Sequence, residues 1–487
     1  MKKKIAIYVA GILAVSVLMS CGSQVGESIT EDSADTTNES TDAPDQTDSD
    51  AATESATESA TESEAVDDAE IAEGEAKDEE TENDDEAVIL KDGVEKELEC
   101  FVGTAITSQE LGDAQIWTLI TTHFNAVTLG NELKPDCMFG YSNDRCPGTE
   151  EVDLNGETIV VPMLDYSRSE KILDRLVKWN SDHPDNMIKA RGHVLVWHSQ
   201  TPEWFFHEDY DKNNDYVDTE TMNKRLEWYI KTMLTHYTGE DSKYKDVFYG
   251  WDVVNEAVSD ATGTYRSDSE NSEEPLSNDT HGSNSSWWHV YQSNEYIINA
   301  FIYANKYAPA SLELYYNDYN ECMSNKQKGI IELLKAIKEK EGAPGEGTRI
   351  DAMGMQGHYQ MGSPSMYEFE MAIRAYAAVV GNVQITEMDM KASDGYDGSA
   401  EAKEEEFEKQ AQRYNTLYWA MKSANKEDNI NITGLTFWGT TDRYSWLQSR
   451  SDVGGGNKVG LPECPLLFDE MYHPKPAFYV FAGEENK

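Results

Sequence analysis

The sequence predicts an α/β protein: one (β/α)8 TIM barrel, preceded by a signal peptide and a disordered acidic tether. Three observations carry that prediction. Eight short apolar runs alternate with longer amphipathic stretches, the pattern of parallel strands joined by helical crossovers. No second linker interrupts the chain between about Val94 and Phe481. Seven of the eight runs end in polar and aromatic residues, and in such barrels chemistry collects at the C-terminal strand ends.

In chain order, residues 1–20 read as a lipoprotein signal peptide. Lys2, Lys3 and Lys4 form a basic start, and Ile5–Met19 is an apolar run too short for a spanning helix. It ends in Leu18-Met19-Ser20-Cys21-Gly22, which resembles a bacterial lipobox with Cys21 as the lipidated residue. A lipid on Cys21 anchors the chain to a membrane, so the expected location is extracellular, on the bacterial cell envelope. Residues 21–90 read as an acidic linker. Between 22 and 86 there are 25 acidic residues and one basic one, Lys77, with no aromatic residue and Ala-Thr-Glu-Ser three times over in 52–63. Such a segment buries too little apolar surface to offset its ordering entropy, and its own charge extends it.

Residues 91–487 read as the barrel. The expected strands are Phe101–Ile106, Ala126–Leu129, Ala190–Leu195, Val247–Val254, Leu312–Tyr316, Ile350–Met355, Val383–Ile385 and Ile432–Phe437. Helical periodicity marks Ser167–Asn180, Thr221–Tyr237, Ser293–Tyr307, Gln327–Glu341, Met366–Val380 and Glu401–Ala424. The stretch 258–288, rich in Ser, Asp, Asn and Glu, reads as a long loop insertion.

Net charge narrows the partners. Forty basic residues against 91 acidic ones give −51, a charge that repels phosphate and excludes nucleic acid. Eleven Trp and 26 Tyr supply flat amphipathic rings that suit sugars as well as cores. Six Cys are too few for a disulfide scaffold. With Cys21 taken by the anchor, an odd five remain; Cys137 and Cys146 are near enough in sequence to bridge a loop, but spacing establishes no bond. The chain is expected to be monomeric.

Two carboxylates stand out among the strand ends. Glu256 follows Asp252-Val253-Val254-Asn255, and Glu387 follows Gln384-Ile385-Thr386. They sit on the fourth and seventh runs, facing each other across a barrel mouth. A carboxylate pair flanking one bond is what glycoside cleavage needs, one acid for the leaving oxygen and one nucleophile or base for the anomeric carbon. Either Glu alone would read as a strand-end ion pair or a helix N-terminal charge. His193, His198 and His358 could instead make a zinc site, but no H-E-x-x-H or matching Cys set accompanies them. Hydrogen bonding to substrate or to a carboxylate is the expected duty.

Several motifs carry a family resemblance. Arg191-Gly192-His193-Val194-Leu195-Val196-Trp197-His198-Ser199-Gln200-Thr201-Pro202, Trp251-Asp252-Val253-Val254-Asn255-Glu256, Tyr316-Asn317-Asp318-Tyr319-Asn320 and Ile385-Thr386-Glu387-Met388-Asp389 occur in order, closing with Trp438-Gly439, Ser445-Trp446 and Leu467-Phe468-Asp469. Together they resemble the family 10 glycoside hydrolases, the endo-β-1,4-xylanases. The resemblance implies a barrel that cuts internal β-1,4 bonds of xylan or xylo-oligosaccharides with retention, using no metal and no organic cofactor. It implies Glu256 as acid/base and Glu387 as nucleophile, with Asn255 on the sugar 2-hydroxyl and His358 and Asp389 orienting the nucleophile. Asn131, Lys134, His193, Trp197, Gln200 and Gln356 look like sugar-binding positions. Tyr319 resembles a leaving-group contact, and Trp438 and Trp446 an aromatic floor and wall.

One departure bears on specificity. The family commonly has Glu immediately before the Asn of the second strand's motif; here Gly130 precedes Asn131. That removes a carboxylate from the non-reducing side and keeps open a retaining β-glycanase of altered backbone specificity. A surface lipoprotein that captures xylan without cutting it is the remaining alternative, and it predicts loss of one catalytic carboxylate.

Overall fold

Eight strands alternate with helices and close on themselves. The structure, a computed structural model, describes residues 88–271, 283–448 and 462–483. The expected signal peptide, Cys21 and almost all of the expected tether lie outside the described residues, which all fall in one compact unit.

The strands are β1 (Phe101–Ile106), β2 (Ala126–Leu129), β3 (Lys189–Gly192), β4 (Phe248–Asn255), β5 (Glu313–Asp318), β6 (Ala352–Met355), β7 (Asn382–Lys391) and β8 (Asn431–Phe437). Each pairs in parallel with the next. Closure comes from β8 returning to β1, with Phe101 opposite Gly434 and Thr104 opposite Phe437. The crossovers carry α2 (Ala114–His123), α3 (Ser167–Asp182), α4 (Thr219–Thr238), α5 (Glu295–Tyr307), α6 (Ser324–Lys338), α7 (Met366–Val380) and α8 (Ala400–Ala424). Two further helices, α1 (Leu90–Leu98) and α9 (Pro476–Ala482), begin and end the described fold and pack on each other. The chain is a (β/α)8 barrel. No helix of the described residues is long and apolar enough to cross a membrane.

Local sequence explains the elements. In α3 the buried Ile172, Leu173 and Leu176 make the stripe of an amphipathic helix. The Ser365 hydroxyl accepts from the Glu368 N–H, and the Ser365 N–H donates back to the Glu368 carboxylate, a capping box at the start of α7. All eight residues of β4 are buried, as expected of a parallel strand covered on both faces.

The inner layer is polar. Arg191 and Asp252, both fully buried, form an ion pair inside the barrel. Room is made by glycine. A Cβ on Gly250 would lie 2.1 Å from the Tyr315 hydroxyl oxygen, and one on Gly354 would lie 2.4 Å from Asn317 Oδ1.

Several details differ from the sequence expectation. Leu90, placed in the linker, opens α1 and is wholly buried against the core, so the fold takes it in. The third run is not one strand. β3 ends at Gly192, and Val196–Trp197 pairs separately with Val254 and Asn255. An unforeseen antiparallel hairpin, Thr149–Leu154 with Glu157–Pro162, decorates the connection after β2. Most of its residues are exposed, and its apolar alternation is short: Val152 and Leu154 on one strand, Ile159 and Val161 on the other, face the core. Its strongest signal is the turn Asn155-Gly156, both at positive φ. The expected insertion 258–288 runs into a short helix, Ser286–Tyr291; residues 272–282 within it lie outside the described residues. Cys100, Cys137, Cys146, Cys322 and Cys464 are free thiols, so Cys137 and Cys146 do not bridge.

Candidate active site

β4 delivers Asn255 and Glu256. A register shift between Asp252 and Val254 bulges the strand, which re-aims the residues beyond it. Glu256 then adopts φ 56°, a left-handed conformation costing a side-chain-bearing residue roughly 1–2 kcal/mol. Its N–H donates to the Asn317 carbonyl at 2.9 Å. One carboxylate oxygen accepts from Trp197 Nε1 at 2.8 Å. The other accepts from Gln356 Nε2 at 2.8 Å and Asn255 Nδ2 at 3.1 Å. These three donors are all neutral.

β7 delivers Glu387 from the other side. Its register against β8 slips between Ile385 and Met388, so Thr386 and Glu387 also sit on a bulge. Glu387 Oε1 accepts from Asn317 Nδ2 at 2.8 Å, and Oε2 lies 3.2 Å from His358 Nε2. His358 Nδ1 lies 2.9 Å from Asp389 Oδ1, and Trp446 Nε1 donates to Asp389 Oδ2 at 2.7 Å. Burial acts to lower the His358 pKa, but the charge of Asp389, its hydrogen bond and Glu387 outweigh it and push the imidazole up to about 10. The ring is therefore an imidazolium that donates to both carboxylates. Burial acts to raise the Glu387 carboxyl, but the His358 hydrogen bond, neighbouring His193 and the Asn317 amide pull it down to about 2.

Asn317, at the end of β5, joins the two halves. Its Nδ2 also lies 2.9 Å from Asn255 Oδ1, and its Oδ1 accepts from Thr386 Oγ1 at 2.7 Å. Below it His193 Nδ1 is 2.8 Å from Asp252 Oδ2.

The remaining expected residues ring this pair. Lys134 Nζ donates to Asn131 Oδ1 at 3.0 Å and Gln200 Oε1 at 3.1 Å, and lies 5.2 Å from the Trp197 ring centre. Burial holds its ammonium below the ordinary lysine range, against the pull of Asp136 and both central carboxylates. The Trp438 ring lies nearly perpendicular to those of His193, 5.5 Å away, and His358, 6.3 Å away. Trp446 is 5.0 Å from His358. Tyr319 stands on the far side, its ring 3.6 Å from Lys326 Nζ. The histidines weighed as zinc ligands are dispersed over these duties, with His198 edge-on to Trp197. Among the described residues no group of three or more His, Cys, Asp or Glu could hold a metal ion.

Gly130 places no side chain in this ring. The neighbouring carboxylate does not take that place, because Glu132 accepts from the backbone N–H of Ser108 at 2.6 Å and of Asn131 at 3.3 Å. Sequence reasoning gave no role to Asn317, Thr386, Asp252 or Arg266. The first three lie inside or beside the quoted motifs and were open to being read. Arg266 lies in a Ser- and Asp-rich loop with no local signal.

Two carboxylates from opposite strands of a barrel mouth, set among amides and indoles, define the two-carboxylate class of barrel glycosidases. The sequence profile described as glycosyl hydrolase family 10 matches residues 90–483, and the chain belongs to that family. Among curated relatives it is 31% identical over 386 residues to endo-1,4-beta-xylanase Y of Acetivibrio thermocellus, covering 78% of this chain and 31% of that protein. It is 34% identical over 303 residues to an endo-1,4-beta-xylanase of Geobacillus stearothermophilus, covering 62% of this chain and 78% of the relative. The chain thus spans about a third of the first relative's length and most of the second's. Among solved structures it is similar to the CBM22-1–GH10 modules of a Clostridium thermocellum endo-1,4-beta-D-xylanase complexed with xylohexaose. That likeness has a TM-score of 0.63 at 29% identity and covers 82% of this chain and 68% of that one.

Proposed function

We propose that the protein is an endo-acting, retaining β-1,4-xylanase that cleaves internal bonds of xylan by double displacement. The observation that carries this reading is the unequal setting of the two carboxylates. Glu387 is held ionised by an imidazolium and an amide, as a nucleophile requires. Glu256 is surrounded by neutral donors on the opposite strand. In the first step Glu387 attacks the anomeric carbon while Glu256 gives its proton to the leaving glycosidic oxygen. The glycosyl ester on Glu387 has lost its charge. Glu256, now a carboxylate, takes a proton from water, which attacks the same carbon and frees Glu387. Asn255 holds the 2-hydroxyl of the sugar under attack. Asn131, Lys134, His193, Gln200 and Gln356 bind hydroxyls; Trp197, Trp438 and Trp446 supply apolar faces.

The same reading takes residues 1–20 as a signal, lipidated Cys21 as an anchor and the acidic segment as a stalk. The enzyme then works as a monomer at the outer face of the cell envelope, on xylan or xylo-oligosaccharides. Labelled fatty acid entering the wild-type chain but not Cys21→Ala supports the anchor; equal labelling of both removes it.

The test of activity is reducing-end release from xylan and from mixed-linkage β-glucan, with Glu387→Gln as control. Release from xylan alone, lost in the variant, is the expected result. Release mainly from glucan supports a retaining β-glycanase of altered backbone specificity, the second reading that Gly130 favours. Binding of xylan without release overturns both in favour of capture.

A further inference from the structure

The loop that follows the acid/base strand returns one cation beneath Glu256. Val258 bridges Tyr265, and the Arg266 N–H donates to the Ala257 carbonyl at 2.8 Å. This brings Arg266, 4% exposed, back against the residue after β4. Its guanidinium meets three segments at once. Nε donates to the Glu256 carbonyl at 3.0 Å, Nη1 to the Ser283 carbonyl at 3.2 Å and Nη2 to the Tyr319 hydroxyl at 3.3 Å. It forms no ion pair with a carboxylate among the described residues. Its direct partners are two carbonyls and a phenol, and the negative charges of Glu256 and Asp318 nearby offset the cost of its burial.

We propose that Arg266 is a positioning residue for Glu256, and that it couples the leaving-group wall to the placement of the proton donor. The inference rests on reading Glu256 as the acid/base. Two facts give it force. Glu256 occupies a left-handed backbone well, which persists only when its surroundings over-determine it. Its peptides are held from both sides, the N–H by the Asn317 carbonyl and the C=O by Arg266. Without Arg266 that carbonyl loses its partner and the peptide is released toward ordinary φ, which swings the carboxyl away from the leaving oxygen. The second fact is Tyr319. Its hydroxyl shares the guanidinium that holds Glu256, while its ring rests on Lys326. A sugar pressing on Tyr319 therefore acts on the same cation that sets the acid.

The experiment uses the full-length protein and a series of aryl β-xylobiosides running from dinitrophenol to phenol as leaving groups. A misplaced acid harms only leaving groups that need a proton. Arg266→Gln is expected to lose about 10²-fold in kcat/KM on the phenyl substrate, within the range of general acid catalysis, while the dinitrophenyl substrate stays near wild type. Tyr319→Phe, which keeps the ring and removes one acceptor, is expected to show the same tilt more weakly. An equal loss across the series means Arg266 only supports the fold, and no loss means it positions nothing; either overturns the proposal. Should Arg266→Gln not fold, as checked by thermal unfolding, Arg266→Lys and Tyr319→Phe carry the same test. If wild type cleaves no member of the series, the xylanase reading fails instead, and the two failures are distinct.

Discussion

The two carboxylates of the barrel mouth are held by different physics. The β7 half is a chain of charge: Glu387, the His358 imidazolium, Asp389 and the Trp446 indole bond in sequence. In the β4 half no charged group bonds the carboxylate directly, although Lys134 and Arg266 act on it electrostatically. Glu256 meets an indole and two amides, and its direction comes from a bulge and a left-handed backbone. A nucleophile must stay ionised through every encounter, so a buried cation beside it is useful. A group that gives a proton and then takes one must pass through both states in a single cycle. Asn317 keeps the halves in register by touching Glu387, Asn255 and Thr386.

The sharpest way to break the comparison is to remove each carboxylate in turn. Glu387→Gln is expected to abolish turnover of every substrate, by 10⁴-fold or more on the order of other lost nucleophiles. Glu256→Ala is expected to cost about 10²–10⁴-fold on xylan, yet to leave a rapid burst of dinitrophenol from the activated xylobioside. Stopped-flow release reads both, and a missing burst in Glu256→Ala contradicts the division of labour.

Next comes the amide beside Glu256 at the end of β4. On the proposed assignment, Asn255→Ala removes a contact with the 2-hydroxyl that tightens in the transition state. The expected outcome is a fall of roughly 10²-fold in kcat with a smaller change in KM. Steady-state kinetics showing a change in KM alone would refute the role.

A pH profile separates charge from shape. Glu387, lowered to about 2, stays ionised above that value, and His358, raised to about 10, keeps its proton below it. The acid limb of kcat/KM attributable to the nucleophile therefore lies near pH 2. His358→Asn removes the largest influence opposing burial, so that limb is expected to move up by about 1–3 pH units. An acid limb that does not move would mean the β7 half is not governed by charge.

The smallest expected effect is at the rim. A Cβ on Gly130 would meet the Thr107 methyl at 3.2 Å, a tight contact, and the Ile106 carbonyl at 3.7 Å. Gly130→Glu is expected to lower KM for xylo-oligosaccharides by roughly 2–10-fold, the value of about one added hydrogen bond, with kcat unchanged. Comparing xylan and β-glucan in the same variant shows whether Gly130 tunes affinity or the choice of backbone.

Strand and helix periodicity, the polar strand ends and the two carboxylates were all legible along the chain, because each depends on neighbours a few residues away. β1 and β2 run from Phe101 to Ile106 and from Ala126 to Leu129, the spans their apolar runs predict. The motif around Glu387 likewise marks its own strand. The hairpin at 149–162 escaped because its alternation spans only Val152–Leu154 and Ile159–Val161 among exposed polar residues, and the break after Gly192 because the same apolar run continues through it. What the chain alone determined was which residues stand at the barrel mouth. Tertiary structure alone decided how they are set: the bulges that turn Glu256 and Glu387 inward, Asn317 spanning both halves, and Arg266 arriving beneath Glu256 from a loop without apolar pattern. Those relations join residues far apart in sequence, and a hydrogen bond depends on distance and angle in space.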